Sequence, residues 1–474
     1  MKRNEPAAPT RWPVWVGPTL FLLTAAVIVL LGLLAFSIVE RRWETQRPAI
    51  ALIPIAEWEP DNAVWGRNYP RQYESYLRTR DDTTRTRYGG GYPRDYLEIY
   101  PHLTILYAGY GFEREYLQGR GHAHAYDDVV NTRRRDEHTP ATCWTCKTTD
   151  APRLIAEMGA AAFYAAPFDA FLDRIRHPIG CQDCHDPATM NLRITRPALR
   201  EAFAAMGRDI DAATHQEMRS LVCAQCHVEY YFGEDNYLIF PWARGLRVEQ
   251  VLAYFDDLGF SDWIHPISGT PMIKVQHPDY EIYAMGIHAY RNVSCADCHM
   301  PYRTEGGVKF TDHHIQSPLL NIASSCGVCH RWSEDEIRVR VESIQDAVHE
   351  AKLAAEDVIA RAHIDIAAAM QVGIGDEDLA PLRQLVRHAQ FRWDFVASNN
   401  GVGIHAPQEC TRILGDSRSL AQEARLGVAR LLAARGIADE PRYPDLSIRE
   451  AAQAFVRALR SDDPPALLPG REDG

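Results

Sequence analysis

Apolar residues are unevenly spread along the chain. No charged residue occurs from Pro18 to Val39, a run of 22 positions. Lys2, Arg3 and Arg11 precede it, and Glu40, Arg41 and Arg42 follow. A cleaved export signal has an apolar core of about 7–15 residues, whereas a spanning helix needs about 20. The pattern therefore predicts a transmembrane anchor or uncleaved signal over 12–39, with 1–11 as a cytoplasmic tail; Ala35-Phe36-Ser37 is a weak cleavage motif. Residues 43–100 are rich in Tyr, Arg, Pro and Gly, with Gly89-Gly90-Gly91 as a loop, and suggest irregular wrapping. Periodicity returns at Ser333. Ile337, Val341, Ile344 and Val348 form a helical stripe, and Ser333 with Glu336 makes a capping box. This helix should run to about Val372. Further helices are expected over about 376–398 with Asp376 as cap, from about 416 to a C-terminal Gly436, and over 447–460. The tail 461–474 carries prolines and charge and is expected to be flexible. The stripe suits either cover for the chain's own core or a dimer face.

Composition narrows the class. With 46% hydrophobic and 24% charged residues, the chain of 474 is an ordinary folded protein. Its 51 basic and 63 acidic residues leave a net charge of −12, which argues against nucleic acid as a partner.

The cysteines carry the chemistry. Ten of the 11 fall in five C-x-x-C pairs: Cys143/Cys146, Cys181/Cys184, Cys223/Cys226, Cys295/Cys298 and Cys326/Cys329. Four pairs are followed at once by histidine, namely His185, His227, His299 and His330; the first is followed by Lys147. Chance would supply about 0.01 C-x-x-C-H matches in a chain of this composition. The motif is the attachment signature of c-type haem, with two thiols for the vinyl groups and the histidine as proximal ligand. Zinc ribbons explain the cysteine pairs but not the histidines, and a disulfide framework suits much shorter chains. Haem attachment takes place outside the cytoplasm, in agreement with an exported chain. Five haems would fill much of the core. The expected fold is mainly α, a multihaem cytochrome c with sparse strands, a haem-packed core and long C-terminal helices. The expected organisation is a pentahaem catalytic region over 40–332 and a C-terminal helical region over 333–460.

Lys147 breaks the pattern. A haem with histidine on both faces passes electrons but has no vacant site for a small substrate. Lysine ligates iron only when neutral, against an ordinary pKa of about 10.4. Simple electron transfer does not require it, so the substitution points to a haem whose other face is open for chemistry.

CWTCK followed by four C-x-x-C-H motifs closely resembles the pentahaem, ammonia-forming cytochrome c nitrite reductases of the periplasm. The resemblance extends to RGHAHA at 120–125, CHVEYYF at 226–232, KVQH at 274–277, TDHH at 311–314 and IHAP at 404–407. It implies Lys147 as proximal ligand of the catalytic haem, and Arg134, Tyr230 and His277 over its distal face. Arg134 lies in the run Arg133-Arg134-Arg135, and which of the three faces substrate stays open. The distal histidines would be His122 for the 223–227 haem, His313 for 181–185, His288 for 326–330 and His405 for 295–299, with His124 and His314 as near neighbours. A calcium ion would be held by Glu229, the Tyr230 and Lys274 carbonyls and Gln276, an oxygen set suited to a hard cation. Cys410 is left as an inert buried thiol.

The implied activity is six-electron reduction of nitrite to ammonium, fed by four bis-histidine haems. A multihaem electron carrier is the alternative, as is a reductase of hydroxylamine or sulfite. Implied partners are nitrite, a multihaem quinol dehydrogenase or soluble cytochrome as electron donor, the inner membrane through the N-terminal helix, and a second copy in a homodimer.

Overall fold

The computed structural model describes residues 13–46 and 53–469. The chain forms two units, residues 1–52 and 53–474. The expected cytoplasmic tail 1–11 and the last residues, 470–474, lie outside the described residues.

Among its described residues the first unit has one helix, Val16–Gln46. Its segment Val16–Glu40, 25 residues with mean hydropathy 2.8, is long and apolar enough to cross a membrane. At 1.5 Å per residue it spans about 37 Å, more than the roughly 30 Å of a hydrocarbon core. The helix runs past Val39 because the polar residues that follow are good helix formers.

The second unit is helical, with three two-stranded antiparallel sheets among the described residues. They pair Tyr231–Phe232 with Leu238–Ile239, Trp263–Ile264 with Pro271–Met272, and Tyr302–Glu305 with Val308–Thr311. The segment expected to be irregular contains helices Asn62–Asn68 and Pro70–Asp81. Asp61 caps the first, accepting from the Ala63 amide at 2.8 Å, and Pro70 opens the second. Their buried positions include Ser75 and Thr79. Polar residues at buried positions leave no apolar stripe to read.

The long helix spans Glu334–Gln371 and begins in the expected capping box. The Ser333 hydroxyl accepts from the Glu336 amide at 3.3 Å, and the Glu336 carboxylate accepts from the Ser333 amide at 2.8 Å. Its second half is small and apolar; Ala355, Ile359, Ala362, Ile364, Ile366 and Ala368 are buried. Small side chains let two further helices, Asp376–Ala397 and Pro407–Ala434, pack closely against it. Gly373, at φ +77°, ends the long helix. Gly375 is the N-cap of the next, and Asp376 is its first helical residue rather than its cap. The third helix starts at Pro407, earlier than expected. Pro407 fits the first turn, and burial of Cys410, Ile413 and Leu414 outweighs the low helix propensity of Gly415. The last helix is Arg449–Leu459.

The main core runs from Leu97 to Leu468 and joins the C-terminal helices to Leu103–Ala108, Val248–Phe255 and Ile273–Ile282. A second core, from Ala141 to Trp242, surrounds the first three cysteine motifs. The change of composition at 333 thus marks no break in packing. The segment before residue 470 does not fray. Leu467 and Leu468 are buried, the Arg442 amide donates to Leu467 O at 2.7 Å, and the Leu467 amide donates to Gln371 Oε1 at 2.9 Å. The helical stripe at 337–348 serves the chain's own core: Ile337 packs on Leu319 and Ile322, and Val348 joins the main cluster. The helix turns Val339 outward, 64% exposed, with Leu353 and Met370 further along.

Candidate functional site

Each C-x-x-C-H motif is a single helical turn. The His185, His227 and His330 amides donate to the carbonyl of the first cysteine of their own motif at 3.0, 3.0 and 2.9 Å. Cys295–His299 is itself a helix. Positions i, i+3 and i+4 share one helix face, so both thiols and the ligand side chain project together. None of the eleven cysteines forms a disulfide. Cys410 is fully buried, and burial pushes its thiol up to about 12.

The last motif is the most open of the five. Cys329 is exposed, whereas the other nine motif cysteines are partly buried. His330 and its facing histidine, His288, are exposed as well. The cause is position. The 326–330 turn is backed on one side by the small cluster of Leu319, Ile322 and Ile337, which Cys326 packs against. Its other side, with Val328 and Trp332, is open. This site therefore lies at the edge of the chain, and Cys329 keeps its place in the motif at the surface.

A second histidine faces each C-x-x-C-H histidine. Ring centres are 6.3 Å apart for His122 and His227, 6.3 Å for His185 and His313, 6.3 Å for His288 and His330, and 6.4 Å for His299 and His405. Two metal–nitrogen bonds of about 2.0–2.1 Å, plus about 1.1 Å from each nitrogen to its ring centre, require roughly 6.2–6.4 Å. The spacing fits one iron between each pair. Desolvation holds His122, His299 and His313 down at about 4, neutral as metal ligands must be. The near neighbours point elsewhere: His124 Nε2 lies 3.0 Å from Arg80 O, and His314 Nε2 lies 3.3 Å from Asp82. Gly286 allows the approach that sets one pair, since a Cβ there would collide with the His405 carbonyl oxygen.

The motifs adjoin one another. The Cys146 and Cys226 thiols lie close enough to influence each other electrostatically, as do Cys223 and Cys295. The 223–227 motif therefore lies beside both the 143–147 and the 295–299 motifs. Arg196, fully buried, ties three motifs together. Its guanidinium donates to Thr145 O at 3.1 Å and Thr148 O at 3.0 Å and pairs with Asp183, while its amide donates to Gln225 Oε1 at 3.0 Å.

Around Lys147 the constellation is different. His277 is pushed down to about 3, first by burial and then by the Lys147 charge, so the two lie in one electrostatic environment. Its Nδ1 is buried without a partner. Tyr230 is raised by burial and by the Cys146 and Cys143 thiols, with Arg134 opposing. Of the three arginines, Arg133 is 70% exposed and pairs with Glu115 at 3.3 Å. Arg135 lies over Phe168, 4.3 Å from the ring centre, and pairs with Asp169. Arg134 lies over Phe112, 4.3 Å from the ring centre, and is the one whose charge reaches Tyr230.

The segment that leads to His277 is pinned by three carboxylates from three elements. The Lys274 amide donates to Asp262 at 2.7 Å, the Val275 amide to Asp394 at 3.0 Å and the Gln276 amide to Glu229 at 2.6 Å. The Lys274 ammonium is itself buried, bonded to Asp394 at 2.9 Å and Ser398 at 2.8 Å, with Tyr107, Phe112 and Tyr116 around it. Glu229 keeps one buried oxygen without a partner, as does Glu281, whose other oxygen accepts from the Glu229 amide at 2.9 Å. Burial holds both acids well above the carboxylate range, Glu281 at about 8. Two buried carboxylates with spare oxygens beside the Lys274 and Tyr230 backbone suit a hard cation. Among the described residues no three His, Cys, Asp or Glu side chains could hold a metal by themselves, so carbonyl ligands would be needed. Sequence reasoning did not single out Asp262, Glu281, Asp394 or Arg196. Asp394 had a visible signal, an acid between Trp393 and Phe395 on an apolar helix.

Facing histidine pairs beside thiol pairs, on a helical scaffold with short hairpins, define a multihaem cytochrome c. The chain belongs to the cytochrome c552 family, whose sequence model matches residues 61–462, and it binds haem c. A cytochrome c-552 of Bacteroides fragilis is 47% identical over 451 residues, 93% of this chain and 92% of that one. One from Parabacteroides distasonis is 46% identical over 451 residues, 93% and 91% of the two chains. Among solved structures, the catalytic subunit of cytochrome c nitrite reductase from Desulfovibrio desulfuricans, a protein with two calcium sites, superposes with a TM-score of 0.76. That match is 33% identical and covers 81% of this chain and 90% of the other.

The buried Lys274–Asp394 pair generates a prediction. Asp394→Ala would leave an ammonium uncompensated in the core, at a cost of about 3–5 kcal/mol. The denaturation midpoint of the haem-loaded variant should fall accordingly, and Asp394→Asn, which keeps hydrogen-bonding capacity, should lose less. Equal midpoints for Asp394→Ala and the unaltered protein would show that the pair is not what holds the segment.

Proposed function

We propose that this protein is an ammonia-forming cytochrome c nitrite reductase that takes nitrite, six electrons and eight protons to ammonium and two waters. One observation carries the reading. The four C-x-x-C-H histidines each face a second histidine at ligand spacing, whereas Lys147 shares its surroundings with Arg134, Tyr230 and His277. A pure electron carrier has no use for that set.

Five haem c groups would be held by the five cysteine pairs, with Lys147, His185, His227, His299 and His330 as proximal ligands. His122, His313, His288 and His405 would be the distal ligands. When bound, haem at Lys147 supplies a redox-active iron that can take the nitrogen of nitrite. The chain's own residues do the rest. Arg134 offers a fixed positive charge for the anion. A neutral His277 can donate one hydrogen bond and, recharged from solvent, deliver protons as N–O bonds break. Tyr230, kept as a phenol by burial, donates its O–H. Glu229, Gln276 and the Tyr230 and Lys274 carbonyls would hold one calcium ion, locking the Tyr230 and His277 segments together. Haem attachment outside the cytoplasm and the apolar Val16–Glu40 helix support a periplasmic protein anchored to the inner membrane. Its electrons would come from a multihaem quinol dehydrogenase or a soluble cytochrome. Exposed Val328, Trp332 and Val339, beside the exposed Cys329, support a homodimer through the start of the long helix.

Three outcomes test this reading. Purified protein with a reduced dye should form ammonium from nitrite. Lys147→His, Tyr230→Phe, His277→Ala and Arg134→Ala should keep their haems but lose turnover, the last three by about 100-fold or more, while Arg133→Ala should not. Unchanged turnover in all four would end the assignment.

Elemental analysis should find calcium in the purified protein and much less in Glu229→Ala, and chelation should slow turnover; a fully active, calcium-free protein would remove the ion.

Val339→Glu should sediment as a haem-loaded monomer where the unaltered anchor-free protein sediments as a dimer. A monomeric unaltered protein at micromolar concentration refutes the dimer.

A further inference from the structure

Nδ1 of a ligating histidine usually meets a neutral acceptor, and three ligands here do. Nδ1 of His185 lies 2.9 Å from Met190 O, that of His299 3.0 Å from Gln316 O, and that of His313 2.9 Å from Thr311 O. His227 differs. Its Nδ1 lies 3.1 Å from Asp279 Oδ2, and among the described residues it is the one C-x-x-C-H or facing histidine whose ring meets a carboxylate. Asp279 is held in place. Asn399 Nδ2 donates to its Oδ1 at 2.6 Å, the Asn400 amide to the same oxygen at 3.0 Å, and Asn400 Nδ2 to Oδ2 at 3.0 Å. Three neutral donors satisfy the carboxylate without discharging it, so its charge remains directed at His227.

A carboxylate on the outer nitrogen fixes the tautomer and ring orientation of a metal-bound imidazole and raises its basicity. A more basic ligand favours Fe(III) over Fe(II). We propose that Asp279, acting through His227 as a positioning residue, sets the 223–227 haem at a lower reduction potential than an otherwise equal haem with a carbonyl partner. This inference rests on the haem assignment of the preceding section. Its consequence is directional. The 223–227 motif adjoins the Lys147 motif, since Arg196 bonds both Gln225 and Thr145, so the haem lowered in potential is one beside the catalytic site. Asp279 also follows His277 by two residues, and its amide donates to the His277 carbonyl at 2.6 Å. One short segment thus carries both the distal histidine of the reaction and the tuning acid of the adjacent haem.

The test is a redox titration of the full haem-loaded protein, followed by visible and electron paramagnetic resonance spectra. Asp279→Asn should raise the potential of one low-spin haem by a roughly tenfold change in its Fe(III)/Fe(II) balance, about 59 mV for one electron. The other low-spin haems should hold their values, and Asp279→Glu should return part of the shift. Potentials that all match the unaltered protein overturn the proposal, as does a uniform shift of every haem. If Asp279→Asn fails to load haem, Asn400→Ala decides. It loosens the carboxylate and should move the same haem the same way by less, and an unmoved set of potentials there also overturns the proposal. Failure of the nitrite assay with one haem shifted would count against the proposed function alone, and turnover with unmoved potentials against this inference alone.

Discussion

Four times, two histidines from separate parts of the chain must be held face to face with ring centres 6.3–6.4 Å apart. That spacing is the constraint on which the fold depends. Regular sheets and bundles place side chains at the repeats of their own geometry, which do not generate four such gaps. The chain instead uses short helical turns and loops to bring each ligand in from its own direction, and keeps its long helices for the C-terminal side. The result is a protein in which strands never exceed four residues among those described, while the packing that stabilises it is concentrated in the helices after 333 and the elements they cover.

Loops that carry ligands need fastening, and buried charge does much of it. Arg196 bonds to the backbone or side chains of three haem motifs at once. Arg387, also buried, donates to Asp256, Pro271 O and Phe260 O and so joins the C-terminal helices to the hairpin before His277. Lys274 and Asp394 do the same one step nearer the site. A buried ion pair is a poor source of net stability compared with apolar packing. Its geometry is strict, however, and a charge with one correct partner rejects a shifted register that an apolar contact would tolerate. Precision of placement is what a ligand-bearing loop requires.

Much of this was legible in the chain itself. Every cysteine motif and the capping box at Ser333 follow from local signatures, because haem attachment and helix initiation impose fixed spacings, whereas the pairing of the four distal histidines was implied only by the family resemblance. The exposure of Cys329 was not legible, since a C-x-x-C-H motif reads the same in a core or at an edge. The helix at Pro407 was hidden by Pro407 and Gly415, two residues with helix-breaking reputations that tertiary packing accommodates. The helices at 62–81 were hidden because they bury Ser75 and Thr79 rather than an apolar stripe. The docked end at Leu467 was hidden by the prolines and charges around it. The partners of Asp262, Asp279, Glu281 and Asp394 were hidden for a different reason. A buried acid acts through what faces it, and no spacing along the chain says that Asp394 meets Val275 or that Asp279 meets His227.

Those acids converge on one stretch of backbone, from Lys274 to Asp279. Within six residues the chain places a buried ammonium, three amides fixed by carboxylates, His277 and an acid that meets His227. Such concentration has a physical logic. A multielectron reduction needs electrons and protons delivered to the same few ångströms, and a strained or mobile loop would let the two deliveries drift apart. Anchoring the stretch from Asp262, Asp394 and Glu229, in three different elements, makes any displacement of His277 cost several hydrogen bonds at once. The same rigidity carries Asp279 into register with His227. Placement of His277 and of the acid that meets His227 are therefore consequences of one folded segment, and neither can be altered far without disturbing the other.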